Sequence, residues 1–169
     1  MAGPVIHLDD VPLRDWGHGD RFAARLGRVG GLIGAQALGC QLHEVPPGKT
    51  AFPRHAHHAN EEMIVVLAGE GTYEAGGETY PVRAGSVCAA PAGGAETAHQ
   101  LLNTGTDVLR YLCVSTRNDP DIVEYPDSGK MMVSSLVPEG QGLMQGRIFH
   151  ITRPTDPGRE GLDYWDGED

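Results

Sequence analysis

Apolar residues along this chain fall in short, mostly alternating runs separated by turn residues. The strongest run is 62–67, EMIVVL, rich in β-branched side chains. Residues 36–45 alternate, with Cys40, Leu42 and Glu44 on one face and Gln41, His43 and Val45 on the other. Further strands are predicted over 50–57, 72–75, 78–82, 86–90, 99–102 and 108–115. Turn signals stand between them: Pro46-Pro47-Gly48-Lys49, Asn60, Gly69-Glu70-Gly71, the hairpin pair Gly76-Gly77, Gly85, and the polar stretch from Asn103. No stretch carries a sustained helical period. Turns at this spacing predict an all-β sandwich or barrel.

The two ends read differently from this core of residues 36–116. Residues 1–35 form an arm, with a short strand expected at Val5, Ile6 and Leu8 and a polar turn at Gly17-His18-Gly19-Asp20. The glycine-rich stretch 26–35, LGRVGGLIGA, lacks the Lys-Ser/Thr of a phosphate-binding loop and reads as a turn or irregular edge. Residues 117–169 form a C-terminal extension, polar and turn-rich, with a β-turn at Pro126-Asp127-Ser128-Gly129. It holds two short apolar pieces, 131–137 and 147–152. Tyr164 and Trp165 near its end are expected to pack on the barrel or a second subunit. The length suits one domain, residues 1–169.

Composition changes the picture only at the margins. The formal charge is −10 and no Lys/Arg cluster appears, which argues against a nucleic-acid partner. Cys40, Cys88 and Cys113 are far apart in apolar segments and read as small buried hydrophobes, not a disulfide framework. The first residues lack a basic-then-apolar leader, and no apolar run reaches the length of a membrane span. A cytoplasmic protein with no membrane partner is the expectation.

Candidate chemistry gathers in one stretch. In His55-x-His57, alternate strand positions send both imidazoles to the same side. Glu62 opens the next strand, and its parity with Ile64 and Val66 turns the carboxylate inward. Glu61 then faces outward, and His58 lies off the His55/His57 face. His99 adds a third imidazole from a later strand. Three nitrogens and one carboxylate suit one divalent transition metal, Zn, Fe, Mn or Ni, with coordination positions left open for a ligand.

The same residues carry a family resemblance. Gly48 through Gly69 resembles the first cupin motif, G-x5-H-x-H-x3,4-E-x6-G, with one extra residue between Gly48 and His55. Gly85-SVCAA-Pro91-Ala-Gly93 and His99-QLL-Asn103 resemble the two halves of the second motif, with three extra residues between Gly93 and His99. The resemblance covers residues 48–103. It implies a cupin-type jelly-roll β-barrel binding one metal through His55, His57, Glu62 and His99, and a small-molecule ligand inside the barrel. It also implies a homodimer, with the apolar residues of 5–8 and 131–137 available to cover an exposed edge.

Fold alone does not assign a reaction. Open metal positions favour a metal-dependent enzyme on a small oxygenated metabolite such as a sugar phosphate, of isomerase or epimerase type. The alternatives are an Fe-dependent dioxygenase and a non-catalytic metal- or small-ligand-binding module. Glu44, Tyr73 and Tyr111 are candidate bases for an isomerase. Arg54 and Arg110 are candidate phosphate anchors.

Overall fold

The computed structural model describes residues 3–135, 148–155 and 161–168. Among them the chain forms β1 (Arg14–His18), β2 (Phe22–Arg28), one helical turn α1 (Val29–Leu32), β3 (Leu38–Val45), β4 (Ala56–His57) and β5 (Glu62–Ala68). There follow β6 (Glu70–Ala75), β7 (Glu78–Arg83), β8 (Val87–Ala90), β9 (His99–Leu102) and β10 (Leu109–Thr116). The last three are β11 (Asp121–Tyr125), β12 (Lys130–Ser134) and β13 (Phe149–Thr152). One sheet runs β1-β2-β3-β10-β5-β8, a second β13-β12-β11-β4 and a third β7-β6-β9. Every strand ladder is antiparallel. A His55–His99 bridge ties the residue just before β4 to β9, and Tyr73, Val82 and Leu101 of the third sheet share one apolar cluster with Leu26, Val45 and Ile64 of the first. This is the all-β architecture the alternation predicts and the jelly-roll barrel the cupin resemblance implies.

Parity works as expected on β5. Ile64 and Val66 are buried and Met63 is exposed. They join Leu26, Val45, Tyr73, Leu101, Leu109 and Tyr111 inside the barrel. Burying such side chains contributes roughly 1.5–3 kcal/mol each. The Gly76-Gly77 hairpin forms between β6 and β7, and both glycines have positive φ, as a tight hairpin turn requires.

Four expectations are corrected. First, the six-stranded sheet begins at Arg14, well before residue 36. Trp16 and the alternating Phe22, Ala24 and Leu26 pack inward, and Gly17 and His18 belong to β1, so the turn lies beyond them. Second, Val5 to Leu8 is not a strand. Leu8–Asp10 is a 3-10 turn, with His7 Nδ1 accepting from the Asp9 amide, and Ile6 and Leu8 pack on the barrel's outer face. Third, the glycine-rich stretch is the end of β2 plus α1. A side chain at Gly27 would collide with Val11 and Leu13, so close packing against the arm explains that glycine without any phosphate. Fourth, 50–57 is not one continuous strand. Thr50 and His55 make isolated bridges, Thr50 to both Phe22 and Leu102, and only Ala56–His57 joins a ladder; Pro53, which lacks an N–H, interrupts the run.

The C-terminal extension supplies a second apolar cluster, Val123, Tyr125, Ile151 and Tyr164, packed on Trp16, Phe52 and Trp165. Trp165 lies 5.2 Å from the rings of both Trp16 and Phe22, so the aromatic pair docks on its own barrel. Leu136, Val137 and Arg147, in the predicted apolar pieces, lie outside the described residues. Among the described residues no helix is long and apolar enough to cross a membrane.

Candidate metal centre

Three strands and one bridge converge on a single carboxylate. Glu62 opens β5, His57 ends β4, and His99 opens β9 where it bridges His55. His99 Nε2 lies 3.1 Å from Glu62 Oε2, His55 Nε2 lies 3.9 Å from the same oxygen, and His57 Nε2 lies 3.8 Å from Oε1. The ligand atoms of His55, Glu62 and His99 all fall within 4.8 Å of one another. His57 approaches from the other carboxylate oxygen and stands outside that closest trio. The extra residues between Gly93 and His99 form a short 3-10 turn, Ala95–Thr97, that bulges aside and leaves His99 inside.

The rings are oriented from behind. His55 Nδ1 lies 2.8 Å from the Pro53 carbonyl, which can only accept, so Nδ1 carries the hydrogen and Nε2 keeps its lone pair for the centre. His57 Nδ1 is 2.6 Å from Asp121 Oδ2, with the same consequence, and Asp121 Oδ1 accepts from the Ala59 amide at 3.1 Å. This carboxylate–histidine pairing behind the ring is how metal-binding imidazoles are held and made more basic.

The electrostatics agree. Burial, with the neighbouring charges of His99 and His57, lowers His55 to about 3, so its ring is neutral at neutral pH. Burial alone would raise Glu62, but the hydrogen bond from His99 and the three surrounding imidazoles hold it below the usual carboxylate range. Burial opposes charge on His57, yet the Asp121 hydrogen bond and the charges of Glu62 and Asp121 raise it. An ionised carboxylate, three imidazoles and two fixed tautomers form a donor set that fits a divalent transition metal.

Above this floor opens a cavity of about 220 Å³. Its walls come from Ile64, Leu101 and Phe52 of the barrel, and from Trp16, Val123, Tyr125, Met132 and Tyr164 of the flanking segments. Gln41, His43, Thr50, Gln100, Tyr111 and Cys113 add polar groups. Among the described residues no Lys or Arg lines it.

The sequence matches the Cupin domain family over residues 41–115. Residues 41–115 are a cupin domain. Over 71 residues the chain is 34% identical to the oxalate-binding protein of Thermotoga maritima, covering 42% of this chain and 55% of that protein, so it spans about half the length of that relative. Among solved structures, a cupin-superfamily sugar phosphate isomerase from Silicibacter pomeroyi DSS-3 aligns with a TM-score of 0.74 at 24% identity, over 90% of this chain and 94% of that one. A predicted oxalate decarboxylase from Thermotoga maritima aligns with a TM-score of 0.58 at 23% identity, over 66% and 97%. At these identities the structural likeness carries the fold.

The other candidate residues sit as follows. Glu44 faces Arg25 and Arg110, with an oxygen 3.3 Å from Arg25 Nη1, and does not line the cavity. Tyr73 donates to the Ala89 carbonyl at 2.9 Å, while Tyr111 does face the cavity. Arg54 is tied to Asp127 and Arg110 to Asp9, so neither reaches the site. His58 pairs with Glu124 at 3.2 Å, off the ligand face, and Glu61 is exposed. Cys113 Sγ contacts Glu62 Oε1 at 3.4 Å, and burial followed by the Glu62 charge raises its thiol well above the ordinary range, so it stays protonated. Sequence alone assigns His43 no site role beyond a strand face shared with Gln41 and Val45, and the structure turns that face to the cavity. The sequence has no signal for Asp121, which lies 64 positions from its partner His57.

Proposed function

We propose that this cupin is a metal-dependent enzyme acting on a small oxygenated metabolite that chelates through two neighbouring oxygens, in a proton-moving reaction of isomerase or epimerase type. The observation that carries this reading is the convergence of three Nε2 atoms and the Glu62 carboxylate on one side of a cavity whose other side is open to a ligand. His55, His57, Glu62 and His99 would hold the metal. When bound, the metal supplies Lewis acidity, polarising a carbonyl and acidifying the neighbouring C–H. The apolar walls exclude water from the reacting oxygens and give the rest of the substrate an apolar seat. A phosphate needs a cation, and the described lining offers none, so the reading weights chelating oxygens over a phosphate group. Oxalate, bound by the Thermotoga maritima relative, is such a chelator.

Oxygen chemistry on Fe(II) is the second reading, favoured by the dry, aromatic upper wall of Trp16, Tyr125 and Tyr164. The test is elemental analysis of protein purified without a chelating tag, then loading with Co(II) or Fe(II). The Co(II) form is screened by absorption against oxalate, 2-hydroxy and 2-oxo acids and sugar phosphates. The Fe(II) form is screened for substrate-dependent oxygen uptake. One metal per chain and a cobalt spectrum that shifts with chelating acids are expected. Protein that takes up no metal would overturn both readings.

The expected homodimer belongs to the same proposal. Val87 and Met63 are exposed at the β8 edge of the six-stranded sheet, where a second copy would cover them. A monomeric mass in light scattering at micromolar concentration contradicts it.

A further inference from the structure

His43 is buried to 3% exposure in the middle of β3, directly opposite Tyr111 on β10, and both line the cavity. Its Nδ1 is 3.0 Å from the Tyr111 hydroxyl. Its Nε2 is buried and has no hydrogen-bond partner among the described residues. Three other polar side chains of the lining, Gln100, Thr50 and Cys113, are engaged elsewhere. Gln100 donates to the Phe52 carbonyl and accepts from Arg21, Thr50 donates to the Leu101 carbonyl, and Cys113 is turned to Glu62.

Hydrogen counting fixes the direction. Burial lowers His43 to about 4, so the ring is neutral and carries one N–H. Burial pushes the Tyr111 phenol well above its ordinary range, so it keeps its hydrogen. That hydrogen is satisfied only if Tyr111 donates to Nδ1, since His43 is its one hydrogen-bonding neighbour among the described residues. The His43 hydrogen then sits on Nε2, as a donor without an acceptor. A buried orphan donor is a standing cost that an incoming acceptor relieves.

We propose that His43, oriented by Tyr111, is a substrate-binding residue that donates from Nε2 to an oxygen the metal leaves free. The inference rests on the metal-site reading and sharpens its substrate class: a chelator with at least one further acceptor oxygen, such as a carboxylate, rather than one whose only oxygens are the two on the metal.

Oxalate and catechol separate these cases, because oxalate keeps free oxygens when chelated and catecholate keeps none. The experiment titrates the Co(II)-loaded protein with each by calorimetry and absorption, for the parent chain, His43→Phe, His43→Gln and Tyr111→Phe. His43→Phe should weaken oxalate about 10- to 100-fold, the scale of one hydrogen bond to a charged group, and leave catechol within about 2-fold. His43→Gln, which keeps an N–H donor, should recover part of the loss. Tyr111→Phe, which releases the tautomer, should weaken oxalate by several fold. Equal losses for both probes would make His43 a wall residue, and unchanged oxalate affinity in both His43 variants would remove it from binding; either overturns the proposal while the metal reading stands. Failure of the metal reading itself looks different: the parent protein's cobalt spectrum would not respond to oxalate, and both proposals would fall.

Discussion

Lys130→Ala is expected to lower the unfolding free energy by about 3–5 kcal/mol, the range for removing one partner of a buried ion pair. Lys130 opens β12, yet its side chain is 1% exposed and that of Glu168 is 4% exposed. The ammonium lies 3.0 Å from Glu168 Oε1, donates to the Tyr164 carbonyl, and sits 5.3 and 5.7 Å from the ring centroids of Tyr125 and Tyr164. Glu168 also accepts from the Ser128 hydroxyl at 2.6 Å. Among the described residues, truncating the lysine leaves the buried Glu168 carboxylate with the Ser128 hydroxyl as its side-chain partner. The same contacts pin the C-terminal segment that places Tyr164 in the cavity wall, so the variant should also loosen ligand binding. The double variant Lys130→Met with Glu168→Gln removes both charges at similar volume and should recover most of the stability. Urea unfolding followed by Trp16 and Trp165 fluorescence measures all three proteins. A loss under about 1 kcal/mol in Lys130→Ala would mean the segment is not docked as described.

That buried lysine also marks where sequence reasoning stops. Its neighbours Asp127, Ser128 and Gly129 announce a turn, and a lysine next to a turn reads as a solvated charge. Only the fold, by returning Glu168 across 38 positions, makes it a core residue. The metal stretch is the opposite case. His55, His57 and Glu62 lie within eight positions, and strand parity alone aims two imidazoles and the carboxylate at one side. His99 was legible because its spacing from Pro91 and Asn103 resembled a known motif, even with an insertion that the structure absorbs as a 3-10 turn. The upper cavity wall was not legible. Trp16 sits beside glycines and charges that suggested a turn, although Phe22, Ala24 and Leu26 alternate just beyond it. Val123, Tyr125, Met132 and Tyr164 lie in a polar extension whose few apolar residues suffice only because β11 pairs with β4, which carries the candidate ligand His57. Local alternation finds strands. It does not say which strands the barrel recruits from its flanks, and here those flanks supply Trp16, Val123, Tyr125, Met132 and Tyr164 to the cavity wall.

His57→Ala is expected to abolish stoichiometric metal binding and, with it, the thermal stabilisation that metal confers. A metal present at about a thousand times its Kd stabilises the folded chain by about 4 kcal/mol, because it binds the assembled ligands and not the unfolded chain. Asp121→Ala removes the carboxylate behind His57 Nδ1, together with its bond from the Ala59 amide, and should weaken the metal about 10- to 100-fold without abolishing it, the range for such supporting groups. His58→Ala, one position along and paired with Glu124 on the outside, should leave metal content unchanged and shift the unfolding free energy by no more than about 0.5 kcal/mol. Elemental analysis and calorimetry with and without added metal read all three variants. The series also decides how many ligands the centre uses. His57 lies apart from the tight group of His55, Glu62 and His99, 3.8 Å from the far oxygen of the shared carboxylate. If His57→Ala retains one tightly bound metal per chain, the centre is a three-residue site of His55, Glu62 and His99. His57 would then be a hydrogen-bonding neighbour held by Asp121, and the fourth position would belong to the substrate.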